Sequence, residues 1–431
     1  MFSYVEACDY LAGLQKFGIK LGLAQVSELL DGIGNPQHKL RFIHLAGSNG
    51  KGSTAAMLNS ALKAAGFTVG LYSSPHLISP LERLRVNGVA ITESEFAELV
   101  STVRAEAERM EQAGRCPTYF EFTTVMAAEY FYRRKVDFVI WETGMGGRFD
   151  ATNVVNPVCS VITGIAFDHQ QYLGEKLSEI AFEKAGIIKP ERPVFCGMME
   201  DSAFQVIADK SVAVGSQLIK TYSGFEPENV RISFDDGICR QKFAYMGYAI
   251  NLALPGKMQR QNFMTVFAVL NYLSAEFNFN LKDALTGLEN VKWPARCQFL
   301  PGKTIIDGGH NPDGINALTE SLSELLPGEK FTIIFGGFAD KNTVECLKLL
   351  APLAEKFVFL PVDCTFRRSW TGEELCEQLR SFSNIPCQSA ENGVAALKLA
   401  AKYRWRLIAG SLYLAGDFLK ILGLKEDVLN I

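Results

Sequence analysis

Long hydrophobic runs are missing from this chain. No stretch approaches the roughly 18 consecutive apolar residues of a membrane-spanning helix, so no membrane segment is expected. Charge of one sign is missing too. With 43 Lys and Arg against 47 Asp and Glu, the net charge of −4 leaves no basic footprint for nucleic acid. The first residues carry Glu6 and Asp9 and no basic segment, which argues against a secretory signal. The ten cysteines are scattered, and the closest pair, Cys376 and Cys387, stands eleven positions apart. That excludes the common CxxC zinc and redox motifs and does not resemble a disulfide framework, so a reducing cytoplasm is the expected compartment. Internal repeats and low-complexity tracts are absent as well.

What is present is ample core-forming material: 431 residues, 48% of them hydrophobic and 21% charged. At roughly 150 residues per domain the chain holds two or three domains. Its organising stretch is residues 42–56, an apolar run that stops at Gly47-Ser48-Asn49-Gly50-Lys51-Gly52-Ser53-Thr54. A helical pattern then opens with Met57, Leu58, Ala61, Leu62 and Ala65 on one face. Glycines let backbone N–H groups converge on anionic oxygens, and the helix N-terminus adds partial positive charge. Lys51 is placed to meet the β- and γ-phosphates of a nucleotide, and the Ser53 hydroxyl to meet Mg²⁺. Gly52 separates lysine from hydroxyl, so the spacing departs from the standard Walker A pattern.

Strand-like segments at 68–72, 138–142 and 158–165 alternate with helical patterns at 92–113 and 121–134. This alternation predicts a doubly wound, mostly parallel sheet with ligands beyond the carboxyl ends of the strands. The polar clusters fall at those ends: Ser73-Ser74-Pro75-His76, Glu142 followed by Gly144, Gly146 and Gly147, and Asp168-His169. A carboxylate closing a buried strand beside a phosphate loop suits a nucleotide-bound Mg²⁺. Lys184, read from its surroundings alone, is a cation near a helix C-terminus closed by Gly186. Residues 231–234 and 248–252 alternate and suggest an antiparallel hairpin, and helices are expected at 261–277 and 281–289. After a linker at 292–296 the alternation restarts with strands at 304–306, 331–335, 356–360 and 406–409. Asp307 ends the first of these, where it could accept hydrogen bonds from a ribose or base, orient a basic group, or cap a helix. The expected domains are 1–293 and 297–431, the second a smaller Rossmann-like α/β domain. Two nucleotide-facing strand edges imply a cleft that closes over substrate.

At this point the chain resembles the folylpolyglutamate synthase/dihydrofolate synthase family of the Mur ligase superfamily. The motifs that carry the resemblance occur in order: residues 46–53, 72–77, 82–88, 142–153, 168–169, 183–187 and 307–312. The resemblance implies a Mur ligase architecture and an ATP-dependent amide ligase joining L-glutamate to dihydropteroate or a reduced folate. It assigns Ser48, Asn49, Gly50, Lys51, Gly52 and Ser53 to ATP phosphates, and Asn262, Arg296 and Asp307 to further ATP contacts. Ser74 and Glu142 hold one Mg²⁺; His169 and a carbamylated Lys184 hold a second. Lys51, Glu142, His169 and Lys184 are thereby the catalytic set. Thr118, Tyr119, Phe120 and Glu121, with Phe149, Asp150 and Ala151, match pterin-binding segments. His310 and Ser411 are the candidates for glutamate. The alternatives are a Mur-type ligase with another acceptor, such as a cell-wall precursor, or a P-loop kinase. A monomer with small-molecule substrates is expected.

Overall fold

The structure is a computed structural model and describes residues 2–18, 22–222, 224–235, 238–364 and 367–431. Every residue of β1 (Phe42–Ala46) is buried, because this strand runs through the middle of an eight-stranded sheet. The other strands are β2 (Val69–Tyr72), β3 (Leu84–Val86), β4 (Val89–Ala90), β5 (Phe138–Glu142), β6 (Cys159–Ile162), β7 (Val194–Cys196) and β8 (Leu218–Lys220). Their order is β4-β3-β2-β5-β1-β6-β7-β8. All neighbours from β2 to β8 pair in parallel, while β3 and β4 close one edge antiparallel. The chain leaves β1 toward β2, returns to β5 beside β1, then crosses to β6 on the far side. The switch point of the sheet is therefore at β5-β1-β6, where open α/β sheets bind ligands.

Helices cover the sheet because the strands are buried on both faces. Lys51–Ala64 follows the glycine loop and buries its apolar face, including Met57, Leu58, Ala61 and Leu62. Tyr119–Arg133 begins two residues earlier than its periodicity predicts, because Thr118 caps it in a reciprocal box with Glu121. Between helix and sheet lie Trp141, Tyr72, Phe131 and Phe138, each fully buried and contributing about 1.5–3 kcal/mol by leaving water.

A second sheet, β11-β10-β9, is antiparallel and comprises β9 (Glu228–Asp235), β10 (Ile238–Tyr245) and β11 (Tyr248–Leu252). The expected pairing of 231–234 with 248–252 does not form, since β10 lies between them and pairs with both. The third sheet contains β12 (Gln298–Leu300), β13 (Thr304–Ile306), β14 (Phe331–Phe335), β15 (Ala354–Phe359), β16 (Cys387–Ser389) and β17 (Arg406–Ala409). Its order is β12-β13-β17-β14-β15-β16, parallel except for β12. Ile305, Ile333, Phe357 and Leu407 sit at its centre.

By internal contacts the chain divides into two units. One holds 1–224, 262–287 and Asn430; the other holds 225–261, 288–429 and Ile431. The expected boundary near 293–297 is therefore crossed by the three-stranded sheet, which belongs with the second unit. Its ladder comes from local pairing, but which body it joins is set by contacts remote in sequence. Among the described residues no helix is long and apolar enough to cross a membrane.

Candidate active site

The site of the first unit is built at the carboxyl ends of β1, β5 and β6. The loop after β1 turns at Gly50, whose φ of 87° is left-handed and leads directly into the helix Lys51–Ala64. A side chain at that position would meet Asn262 Oδ1 at 2.6 Å, so Asn262 lies against the loop. Neighbouring strands hold the loop in place. Ser48 N–H donates to Gly164 O at 2.7 Å, and the Thr163 hydroxyl donates to Asn49 O at 2.7 Å. Ser48 Oγ donates to Ala166 O and accepts from the Ala166 N–H, at 2.8 and 3.0 Å. Thr163 is a site residue that sequence reasoning missed. Nothing local marks a threonine that acts 114 positions from its partner.

Two amines converge on one oxygen here. Lys51 Nζ and Lys184 Nζ both donate to Gly47 O, at 2.8 and 2.9 Å. Lys184 is 4% exposed. Its burial, and then the positive charge of Lys51, push its pKa down to about 7, against opposing pulls from Asp168 and Asp150. A buried amine near neutrality spends a large fraction of its time uncharged, and in that form it is a nucleophile.

Glu142 closes β5 beside Leu45 of β1, is buried, and accepts from the Ser74 N–H at 3.2 Å. His169 follows β6 in a left-handed conformation with an exposed ring; its backbone N–H donates to Asp168 Oδ1 at 2.9 Å. Among the described residues no group of three or more His, Cys, Asp and Glu side chains could cage a metal. The donors present instead suit Mg²⁺, which is usually held by one or two carboxylates, water and substrate phosphates. Lys184 as an amine offers no oxygen, so only a carbamate would make it a ligand.

Thr118 and Glu121 cap the helix Tyr119–Arg133 reciprocally. Glu121 Oε2 accepts from the Thr118 N–H at 2.7 Å, and the Thr118 hydroxyl accepts from the Glu121 N–H at 3.2 Å. Tyr119 and Phe120 remain as apolar walls. The Arg83 guanidinium lies 5.2 Å above the Tyr119 ring, and a Cβ on Gly144 would meet the Phe120 ring at 2.6 Å. Phe149 is exposed under the Arg148 guanidinium at 4.3 Å, and Arg148 pairs with Glu183 at 2.7 Å. Asp150 is 7% exposed and accepts from the Met145 N–H at 2.8 Å, while Ala151 opens the following turn. Burial raises the Asp150 carboxyl above its ordinary pKa, against these hydrogen bonds.

Arg296, Asp307, His310 and Ser411 belong to the second unit. Asp307, at the end of β13, accepts from the Cys297 and Gly309 N–H groups at 2.7 and 2.6 Å, and burial raises its carboxyl despite the nearby Arg296. Arg296 donates to Ala295 O at 2.9 Å, and His310 Nδ1 lies 3.1 Å from Gly308 O. Ser411 is buried and accepts from the Tyr413 N–H at 3.1 Å as the cap of Leu412–Ile421.

A phosphate-type loop and a buried carboxylate at the strand ends of one sheet, a buried helical lysine against that loop, and a second, mostly parallel sheet in a separate unit define the class. The Mur ligase middle domain matches residues 45–270, and the Mur ligase glutamate ligase domain matches residues 295–412. The dihydrofolate synthase/folylpolyglutamate synthase of Bacillus subtilis is 34% identical over 97% of this chain and 99% of its own length. That of Escherichia coli is 31% identical over 97% and 95%. Among solved structures, Mycobacterium tuberculosis folylpolyglutamate synthase complexed with ADP superposes with a TM-score of 0.88 at 27% identity, covering 97% of this chain and 99% of that one. An FPGS–AMPPCP–folate complex gives 0.82 at 30% identity over 98% and 100%. The chain belongs to the dihydrofolate synthase/folylpolyglutamate synthase family of Mur ligases.

Proposed function

We propose that this chain, acting as a monomer, joins L-glutamate to dihydropteroate and to the γ-carboxylate of a reduced folate at the expense of ATP. The observation that carries the reading is the meeting of Lys51 and Lys184 on Gly47 O, at the mouth of the phosphate loop. The Lys51 ammonium there favours a site for the anionic γ-phosphoryl group, and the Lys184 amine beside it, uncharged for much of the time, is open to carbamylation.

A carboxylate is a poor acylating agent. Its oxygen attacks the γ-phosphorus of ATP, the β–γ bridge bond breaks, and ADP leaves behind an acyl phosphate. The neutral amine of glutamate then attacks the acyl carbon, the amine loses its proton, and the tetrahedral adduct expels phosphate. Residues 48–53 hold the phosphates through the Lys51 ammonium and their backbone N–H groups other than that of Ser48, which is bonded to Gly164 O, so positioning and charge carry most of the acceleration. Asn262, Arg296 and Asp307 are assigned to the nucleotide. Thr118, Tyr119, Phe120 and Glu121, with Phe149, Asp150 and Ala151, are assigned to the pterin, and His310 and Ser411 to glutamate. Glu142 and Ser74 would hold one Mg²⁺, with His169 and carbamylated Lys184 holding a second; bound there, the metal neutralises phosphate charge. Carbamylation needs the uncharged amine, which adds to CO₂ with loss of one proton, and the lowered pKa of Lys184 supports it.

The test is a substrate panel of dihydropteroate and tetrahydrofolate with ATP and glutamate, read by phosphate release and product mass. Product one glutamyl unit heavier than the acceptor is the expected result. ATP hydrolysis with no amide formed on either acceptor overturns the reading.

A further inference from the structure

The middle of β1 holds a polar residue where an apolar one would pack without desolvation cost. His44 is fully buried, one turn of the pleat before the phosphate loop. In register it stands beside Trp141 of β5 and Ser160 of β6. All three side chains have partners outside the sheet, in the turn after β5 and just past the helix Leu177–Ala185. Trp141 Nε1–H donates to Thr152 O at 3.0 Å, and the Ser160 hydroxyl donates to Ile187 O at 2.9 Å. His44 Nε2 lies 2.9 Å from the Thr152 hydroxyl.

The hydrogen positions follow from the neighbours. Asp150 Oδ1 receives the Thr152 N–H at 3.0 Å and lies 2.5 Å from the Thr152 hydroxyl, while its Oδ2 receives the Met145 N–H. Donors surround this carboxylate, so the single hydroxyl proton of Thr152 points to Asp150. The hydroxyl oxygen must then accept from His44, which carries its proton on Nε2. His44 Nδ1 has no hydrogen-bond partner among the described residues, which suits a bare lone pair better than a buried N–H. Burial, helped by Lys189, holds the imidazole neutral, with its pKa lowered to about 3. The chain His44 Nε2–H to Thr152 Oγ–H to Asp150 Oδ1 is thus one-directional, and each bond polarises the next.

We propose that His44 is a positioning residue for acceptor binding: through the Thr152 hydroxyl it fixes the Asp150 carboxylate, which also accepts from the Met145 and Gly144 backbone N–H groups, and so sets where that carboxylate and its loop meet the pterin ring. This rests on the reading that Asp150 contacts the pterin. His44 itself touches no substrate. Its effect is on where Asp150 sits and on how fully the carboxylate is solvated inside the protein.

The experiment uses the full-length enzyme with dihydropteroate, ATP and glutamate. Thr152→Val and His44→Leu are expected to raise KM for dihydropteroate about tenfold, as for loss of a hydrogen bond to a charged group, with KM for ATP unchanged. His44→Gln, whose amide N–H can donate to the same hydroxyl, is expected to restore most of the loss. Equal rises in both KM values, or a Gln variant no better than Leu, would reduce the row to scaffolding and overturn the proposal. Asp150→Asn separates the two layers. If it leaves the dihydropteroate KM unchanged, the pterin role of Asp150 falls; if it raises KM while the other variants do not, only the relay falls. Should the variants fail to fold, selective ¹⁵N labelling of the five histidines in the native protein reads the tautomer directly. One buried ring protonated on Nε2 and bare on Nδ1 is expected, and an Nδ1–H tautomer refutes the relay.

Discussion

Replacing Gly50 by alanine tests how the phosphate loop is built. The residue has φ 87°, and a left-handed conformation costs an L-residue about 1–2 kcal/mol. The new methyl carbon would also stand 2.6 Å from Asn262 Oδ1 and 3.4 Å from its Cγ, closer than carbon and oxygen tolerate. One side gives: either Asn262 swings away or the loop shifts by several tenths of an ångström. A displacement near 1 Å at a reacting centre costs on the order of 10²-fold in rate. Gly50→Ala is therefore expected to lower stability by about 1–2 kcal/mol in urea unfolding and to weaken ATP binding by far more than that strain alone implies. Adding Asn262→Ala removes the collision but leaves the backbone strain. The double variant is thus expected to regain loop geometry, although Asn262 itself is lost. Calorimetric titration with a non-hydrolysable ATP analogue reads the coupling. Wild-type nucleotide affinity in Gly50→Ala, or strictly additive losses in the double variant, would refute the reasoning.

Lys51→Ala and Glu142→Ala are each expected to abolish turnover while far-UV circular dichroism stays native, and near-normal phosphate release in either would contradict their roles. Lys184→Ala is expected to lose most activity and to regain part of it with added short-chain carboxylates; intact-protein mass and a density map on the native enzyme check for the carbamate. The pH dependence of stability follows from His44, whose pKa is lowered to about 3 from 6.5. Between these values the unfolded chain binds a proton that the folded one refuses. Stability is therefore intact above about pH 6.5 and falls by up to about 1.4 kcal/mol per pH unit as pH drops through that window. His44→Gln is expected to flatten this acid slope in urea unfolding measured at successive pH values, and an unchanged slope would show that other groups set it.

The parts of the site that can be read from the string of residues are those whose chemistry is contiguous. A phosphate loop needs its glycines, lysine and hydroxyls within one turn, so residues 47–53 identify themselves wherever they occur. The long helices and central strands are equally legible, because burial of one face or of both imposes a period over many residues. Short strands at or next to a sheet edge, such as β3, β4, β7, β8, β12 and β16, have two to three residues each, too few to carry a period. Their partners alone make them strands.

Lys184 shows where local information ends. Its surroundings in sequence describe an ordinary cation at a helix terminus, and only the family resemblance proposes it as a metal ligand. Its burial and its meeting with Lys51 on Gly47 O arise only when the helix Leu177–Ala185 is laid against the loop after β1. The same holds for Thr118 and Glu121. A motif match proposes them for the pterin, and only the folded chain shows that they also cap a helix.

The amino-acid order thus dictated the elements and the loop chemistry, since propensity, periodicity and turn geometry act over a few neighbouring residues. Which strand stands beside β1, which body holds the three-stranded sheet, and how far each titrating group is lifted or lowered were settled by tertiary contact, because burial and Coulomb interaction depend on distance in space rather than along the chain.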